Sequence, residues 1–251
     1  MSERASISFE CIAERYDDTR GGLERGARVA LALAPYLEPN APTLEVGVGT
    51  GLVATAMIEG GYDVVGLDLA QAMAIRARER IGPRIVVGDA ARLPIRSGSM
   101  TQSYSVWVLH LVADPVAVLR DVRRALRPGG YHVDMSGSIT DPNPIDEVIG
   151  DVRDLLQTRA WSTAREPDGV AAAARAAGFR DIEFHDGGSF IWSRSPHELA
   201  DTLERRTYSW TWGVDDETWR TLVEPGLARL RELPDQPVEG SAKDTVIVMR
   251  I

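Results

Sequence analysis

The chain has 251 residues, 44% of them hydrophobic and 26% charged, which is ordinary for a folded soluble protein and enough for one sizeable domain or a domain with a lid. A formal net charge of −9 argues against a polyanionic partner such as bulk nucleic acid, because phosphate binding needs a positive surface, but leaves room for a small anionic ligand. The single cysteine, Cys11, allows no intrachain disulfide, and no apolar run reaches the roughly 18 residues of a bilayer span. With a charged N-terminus that lacks the apolar core of a signal peptide, the expectation is a cytoplasmic protein with no membrane partner.

Short apolar runs alternate with helical patterns through the first half. Strands are predicted at Thr43–Val46, Asp63–Leu67, Arg84–Val87, Gln102–Val106 and Gly130–Met135, the last following a Pro128-Gly129-Gly130 turn. Helices are predicted at Leu52–Glu59, Ala70–Arg80 and Pro115–Leu126. In the second half, helices are expected near Ile145–Gln157, at Ala171–Ala177 with Gly178 as its stop, at Pro196–Arg206 and at Asp216–Arg231. Extended segments are expected at Asp181–Phe184, Gly188–Trp192 and Thr245–Ile251. Regular alternation of strand and helix predicts an α/β fold, a mostly parallel sheet with helices on both faces. Trp161, Trp192, Tyr208, Trp210, Trp212 and Trp219 all lie in the second half. They either shape an apolar pocket as part of a helical cap or fill a second-layer core.

In parallel sheets ligands bind beyond the carboxyl ends of the strands, where the strand order reverses. The loop leaving the first predicted strand is LEVGVGTGLVA, with Gly47, Gly49 and Gly51 at alternate positions. Gly49, Gly51 and Ala54 satisfy the dinucleotide spacing G-x-G-x-x-G/A, so this loop alone permits NAD. A nucleotide P-loop is excluded, since no Lys-Ser/Thr pair follows. Glu45 favours another ligand: a carboxylate at the strand end is unwelcome beside a pyrophosphate and helpful beside an ammonium or sulfonium. Asp68 ends the second strand, where a carboxylate can accept both ribose hydroxyls, a feature shared with NAD sites. Gly88-Asp89-Ala90 follows the third strand, where a carboxylate can accept from an adenine amino group. SYSVWVLHLV and LRPGGYHV follow in order.

These residues in this order resemble the class I S-adenosylmethionine methyltransferases, and within them the small-molecule branch typified by ubiquinone and menaquinone biosynthesis. The likeness covers roughly Ala13 to Met135. It implies a Rossmann-like fold with a seven-stranded sheet and S-adenosylmethionine as cofactor. Glu45, Gly47, Gly49 and Gly51 would pass beside the methionine part. Asp68 would hold the ribose, Leu69 and Met73 would flank the adenine, and Asp89 and Ala90 would meet its edge. The stretch A-E-R-Y-D-D-T-R resembles a helix that closes over the cofactor, which would set Tyr16 near the methyl group and Arg20 near the carboxylate. One departure stands out: Met100-Thr101 occupies a place where the family usually has Phe-Asp.

Each of these residues has a plainer competing role. The glycines could form a tight turn, Asp68 and Asp89 could cap helices, Tyr16 and Arg20 could tie down an N-terminal helix, and Met73 could be core. His110, just past the fourth strand, is the candidate general base, and Tyr16 a second candidate for contact with the reacting group. The alternative for His110 is a histidine bonded to backbone beside the pocket. His132 lies on an apolar strand and reads as a satisfied core histidine, and His185 and His197 are weaker candidates. No cluster suggests a metal. The expected organisation is one methyltransferase domain, with residues 1–40 as a helical lid, 41–138 as the cofactor core and 139–251 carrying cap helices and final strands. No N/D-P-P-Y/F/W stretch follows the fourth strand, which argues against methylation of exocyclic or amide nitrogens. The expected activity is methyl transfer to oxygen or carbon of a small apolar or aromatic acceptor. The rivals are a cofactor-binding enzyme that performs a different reaction, and an NAD-dependent oxidoreductase.

Overall fold

The structure, a computed structural model, describes residues 9–14, 16–17, 21–141, 143–157, 164 and 166–251. Seven strands form one sheet in the order β3-β2-β1-β4-β5-β7-β6. They are β1 (Pro42–Val46), β2 (Asp63–Asp68), β3 (Ile85–Val87), β4 (Met100–Val106), β5 (Leu126–Asp141), β6 (Arg180–Arg194) and β7 (Val238–Arg250). β1 pairs in parallel with β2 on one side and β4 on the other, so the strand order reverses at β1 and β4. Among the described residues, no helix is long and apolar enough to cross a membrane.

The chain divides into two compact units. The first comprises Met1–Gly137, Ser162–Gly188 and Asp244–Ile251. Its helices are α1 (Gly22–Leu33), α2 (Leu52–Glu59), α3 (Gln71–Ile81), α4 (Pro115–Ala125) and, in the returning segment, α6 (Pro167–Ala177). Alternation along β1 assigns side chains to opposite faces of the sheet. Leu44 and Val46 join Leu119 and Val122 of α4 and Val170 of α6 in one core. On the other face Val29 and Leu33 of α1 and Met57 of α2 pack with Tyr104 and Val133. α1 lies inside the segment expected to form a lid, yet it is a core helix: a Cβ on its Gly26 would sit 2.5 Å from the Leu52 carbonyl oxygen, so only glycine lets α1 approach α2 this closely.

The second unit comprises Ser138–Trp161 and Ser189–Lys243. It contains α5 (Pro144–Gln157), α7 (Pro196–Glu204) and α8 (Glu224–Glu232). Ile145, Val152, Leu199, Leu203, Val223 and Leu230 form its core together with Trp210 and Trp219. Of the two roles open to the aromatics, these two tryptophans take the core role. Trp161 lies outside the described residues.

Three predicted boundaries shift for identifiable reasons. The Pro128-Gly129-Gly130 turn does not precede β5 but bulges out of it: Leu126 pairs with Met100, and Tyr131 with Gln102. The segments expected at Asp181–Phe184 and Gly188–Trp192 are one strand, β6. Its Gly187, between the two expected segments, marks a close approach, since a Cβ there would lie 2.9 Å from the backbone of Asp244. The single helix expected at Asp216–Arg231 becomes a turn of α-helix at Asp216–Thr218, a π-helix at Trp219–Val223 and then α8. Pro225 brings no N–H, so the carbonyl one turn back loses its ordinary partner and the helical register slips.

Candidate functional site

The glycine loop runs from the end of β1 into α2. Gly47 and Val48 both donate to the Leu67 carbonyl, at 2.8 and 2.9 Å, which ties the loop to the end of β2. Gly47 has φ +74, and a Cβ on it would lie 2.5 Å from Val108 Cγ2, so both its conformation and its surroundings demand glycine. Gly49 has φ +57, but a Cβ there would meet nothing within 4 Å. The space beside Gly49 is open, and it is the space a ligand would use.

Two clefts meet at this loop. The first, of about 690 Å³, is walled by the glycine loop, Asp68, Leu69 and Met73 after β2, Gly88 to Ala90 after β3, and Val106 to Val108, Leu111 and Val112 after β4, with Phe9 and Tyr16 from the N-terminal segment. The second, of about 420 Å³, is walled by Glu45, Arg25, Thr50, Val53 and Trp107. Tyr16, Gly47, Gly49, Val106 and Trp107 belong to both. The sequence-predicted residues Tyr16, Gly47, Gly49, Asp68, Leu69, Met73, Asp89 and Ala90 therefore surround one cleft, and Glu45 opens on its neighbour.

Asp68 is clipped between two backbone donors. Gly49 N donates to Oδ2 and Ala70 N to Oδ1, each at 2.8 Å. Burial raises its pKa, and these backbone bonds oppose the rise. Each carboxylate oxygen retains a second lone pair for a ligand hydroxyl. Asp89 caps the short 3-10 turn Ala90–Arg92 by accepting from Ala91 N at 2.9 Å. It is thus both a cap and a cleft wall. Met73 is buried against Ala13 and Ala70, with Phe9 and Tyr16 packed alongside, so it too is both core and cleft wall.

Glu45 differs from its expected state. It pairs across the sheet with Tyr104, whose hydroxyl donates to Glu45 Oε2 at 2.8 Å. Only 2% of Glu45 is exposed, and burial pushes its carboxyl up to about 8, the Tyr104 bond opposing the rise and the nearby Asp68 adding to it. Without a cation beside it, Glu45 is mainly protonated at neutral pH, where the sequence alone reads as an ionised carboxylate.

The N-terminal segment is held on the loop. The Thr50 hydroxyl donates to Asp17 Oδ1 at 2.6 Å, Arg80 donates to Asp17 Oδ2, and Arg80 Nη1 donates to the Thr50 carbonyl at 2.6 Å. Tyr16 meets Phe9 edge-on, with ring centroids 5.8 Å apart. Arg20 lies outside the described residues.

Gly51 ends the loop as the N-cap of α2, at φ +84, and lines neither cleft; a Cβ there would lie 3.1 Å from the Ala77 backbone. Its part is to turn the chain and to let α3 close on the loop. His110 lies in the turn after β4 and is not among the residues walling either cleft, although Val108 and Leu111 are. His132 is fully buried between Ser103 Oγ at 2.8 Å and Ser105 Oγ at 3.0 Å. Burial lowers its pKa to about 3, so it is a neutral core histidine, as expected. His185 meets Glu183 at 3.3 Å and the Tyr36 ring, and His197 meets the Leu233 carbonyl at 3.1 Å; neither walls a cleft. Sequence reasoning missed Trp107 and Arg25. Trp107 stood inside the quoted SYSVWVLHLV segment, but its left-handed backbone, φ +51, has no sequence signal. Arg25 has no motif at all and reaches the second cleft only through the packing of α1. Among the described residues, no group of three or more His, Cys, Asp or Glu is arranged to hold a metal.

The donor set fits S-adenosylmethionine: a carboxylate with spare lone pairs in the first cleft, an open cradle at Gly49, and in the second cleft a buried carboxyl and an arginine for an ammonium and a carboxylate. Residues 44–133 match the family model described as a methyltransferase domain. The chain is 28% identical over 200 residues to a demethylmenaquinone methyltransferase from Beutenbergia cavernae, covering 71% of this chain and 83% of that protein. Its fold is similar to that of a Thermotoga maritima protein described as a SAM-dependent methyltransferase, possible histamine N-methyltransferase, with TM-score 0.57, 19% identity, and 96% and 97% of the two chains covered. It is also similar to the cyclase SpnF, with TM-score 0.56, 18% identity and 98% of both chains covered.

Proposed function

We propose that this chain, a class I S-adenosylmethionine-dependent methyltransferase, transfers the methyl group to an oxygen or carbon of a small apolar or aromatic metabolite. The observation that carries this reading is the pair of adjoining clefts around the glycine loop, one with Asp68 and Asp89 and the other with Glu45 and Arg25. In this reading Asp68 holds the ribose hydroxyls, Leu69 and Met73 flank the adenine, and Asp89 and Ala90 meet its edge. The glycine loop and Glu45 face the methionine part, and Arg25, which lines the second cleft, meets its carboxylate.

S-adenosylmethionine supplies a methyl group already activated by a sulfonium, so the chain's task is chiefly alignment. The loop glycines let backbone approach the cofactor, and Val106, Val108, Leu111 and Val112 exclude water from the apolar side of the first cleft. Tyr16 closes over both clefts. Glu45, protonated when no cation is beside it, gives up its proton as the ammonium binds. A base is required only for a protonated acceptor, and His110, two residues beyond the wall residue Val108, is the candidate to take that proton. The acceptor's apolar character is supported by the lining after β4 and by the name of the Beutenbergia relative.

Incubation with S-adenosylmethionine and a panel of small phenols, quinols and enols is expected to yield S-adenosylhomocysteine together with a product heavier by one methylene. His110→Ala is expected to lower the rate by about a hundredfold for a protonated acceptor, and near-normal turnover would return it to a structural role. A second reading is cofactor binding without methylation. The fold shared with the cyclase SpnF makes it concrete. Acceptor consumption with no S-adenosylhomocysteine formed would establish that reading instead.

A further inference from the structure

In S-adenosylmethionine the sulfonium is the atom that joins the adenosyl and methionine portions. On the cofactor placement proposed above, the residues that wall both clefts are the ones that face it. Trp107 is the largest aromatic surface among them. Its geometry is held by several elements at once. The backbone is left-handed at φ +51, a conformation that is strained for a bulky residue and persists only where the surroundings impose it. Its N–H donates to the Met135 carbonyl at 2.9 Å. Its indole Nε1–H donates to Asp244 Oδ1 at 3.2 Å, and Asp244, 1% exposed, accepts from Arg28 through its other oxygen at 3.3 Å. The ring already serves as a platform for a cation: the Arg25 guanidinium lies 4.0 Å from its centroid.

We propose that the indole of Trp107 is the aromatic face that receives the sulfonium, and that Asp244 is the positioning residue that holds the ring in place for it. The inference rests on the cofactor reading and goes beyond it by assigning two residues that carry none of the loop motifs. S-adenosylhomocysteine has the same shape without the positive sulfur, so the ratio of the two affinities isolates the cation–aromatic contribution from ordinary packing.

Calorimetric titration of both ligands into the full chain tests this. In Trp107→Leu the affinity for S-adenosylmethionine is expected to fall about fivefold more than that for S-adenosylhomocysteine. Protein made with fluorinated tryptophan keeps the ring's shape and drains charge from its face, so its preference for the charged ligand is expected to fall about twofold even where Trp107→Leu fails to fold. Asp244→Asn, whose side-chain oxygen still accepts from the indole, is expected to keep the wild-type ratio, and Asp244→Leu to shift it towards that of Trp107→Leu. An unchanged ratio in Trp107→Leu, or in the fluorinated protein, overturns the sulfonium assignment. An unchanged ratio in Asp244→Leu overturns the positioning role. If the wild-type protein binds neither ligand, the cofactor reading itself falls and takes this inference with it.

Discussion

The two clefts either side of the glycine loop each present a carboxyl group, and they hold it in opposite ways. In the first, burial raises the Asp68 carboxyl, and backbone N–H bonds on both oxygens at 2.8 Å oppose that rise and fix its direction. In the second, near-complete burial favours the neutral form of Glu45, and the single tyrosine hydroxyl it accepts from opposes that only in part. One acid is thus an acceptor fixed in direction by the backbone, and the other is a group whose charge depends on what lies beside it. The first suits neutral hydroxyls that need a fixed acceptor. The second suits a cation, which supplies the charge that burial withholds.

The largest expected effect would abolish the comparison by removing the loop common to both clefts. Gly47→Ala forces φ +74 on a side chain whose Cβ would lie 2.5 Å from Val108. A loss of about 3 kcal/mol or more in denaturant unfolding is expected, and cofactor binding should disappear. A variant of normal stability and affinity would show that the loop can rearrange. Next, Asp68→Ala removes the backbone-clipped carboxyl from the first cleft. Binding of S-adenosylmethionine should weaken by at least about tenfold in calorimetry, the scale of a hydrogen bond to a charged group. Unchanged affinity would take Asp68 out of the site.

Glu45→Gln tests the second cleft by pH. The folded-state pKa of about 8 stands above the ordinary glutamate value of 4.5, so between these values the unfolded chain is ionised while the folded protein holds the proton. Wild-type stability from this group is therefore full below about pH 4.5 and is lost as pH rises towards 8. Relative to wild type, the glutamine variant should gain stability across that window, by about 1 kcal/mol or more at its upper end. Melting curves of both proteins from pH 5 to about pH 8 check it, and a constant difference would mean that Glu45 is ionised throughout. The smallest effect is expected for Asp89→Asn, which keeps an oxygen for the Ala91 cap. Affinity should fall only a few-fold, the scale of one hydrogen bond. A loss as large as that of Asp68→Ala would show that the two acids are equal partners.

Much of the first cleft was legible because its residues stand at strand ends, and strand ends can be read from local pattern. Gly47, Asp68 and Asp89 each follow a short apolar run, and the parallel sheet brings such ends together. The second cleft was legible only at Glu45. Its protonation comes from burial, which no local pattern records, and the hydroxyl that opposes it belongs to Tyr104, 59 residues away in sequence. The continuity of β6 through Gly187 was not legible for a related reason: glycine marks a turn and a close backbone approach alike, and only the neighbouring strand distinguishes them.

The alternation of strand and helix, the glycine loop and the acids after β2 and β3 are written in the chain, because periodicity, glycine's backbone freedom and side-chain chemistry are local properties. Packing set which of these face one space and in what state. It brought Arg25, Trp107 and Asp244 together from α1, the end of β4 and β7, and it kept the Glu45 proton in place by burial. Those outcomes depend on long-range packing and exclusion of water, which a linear pattern does not encode.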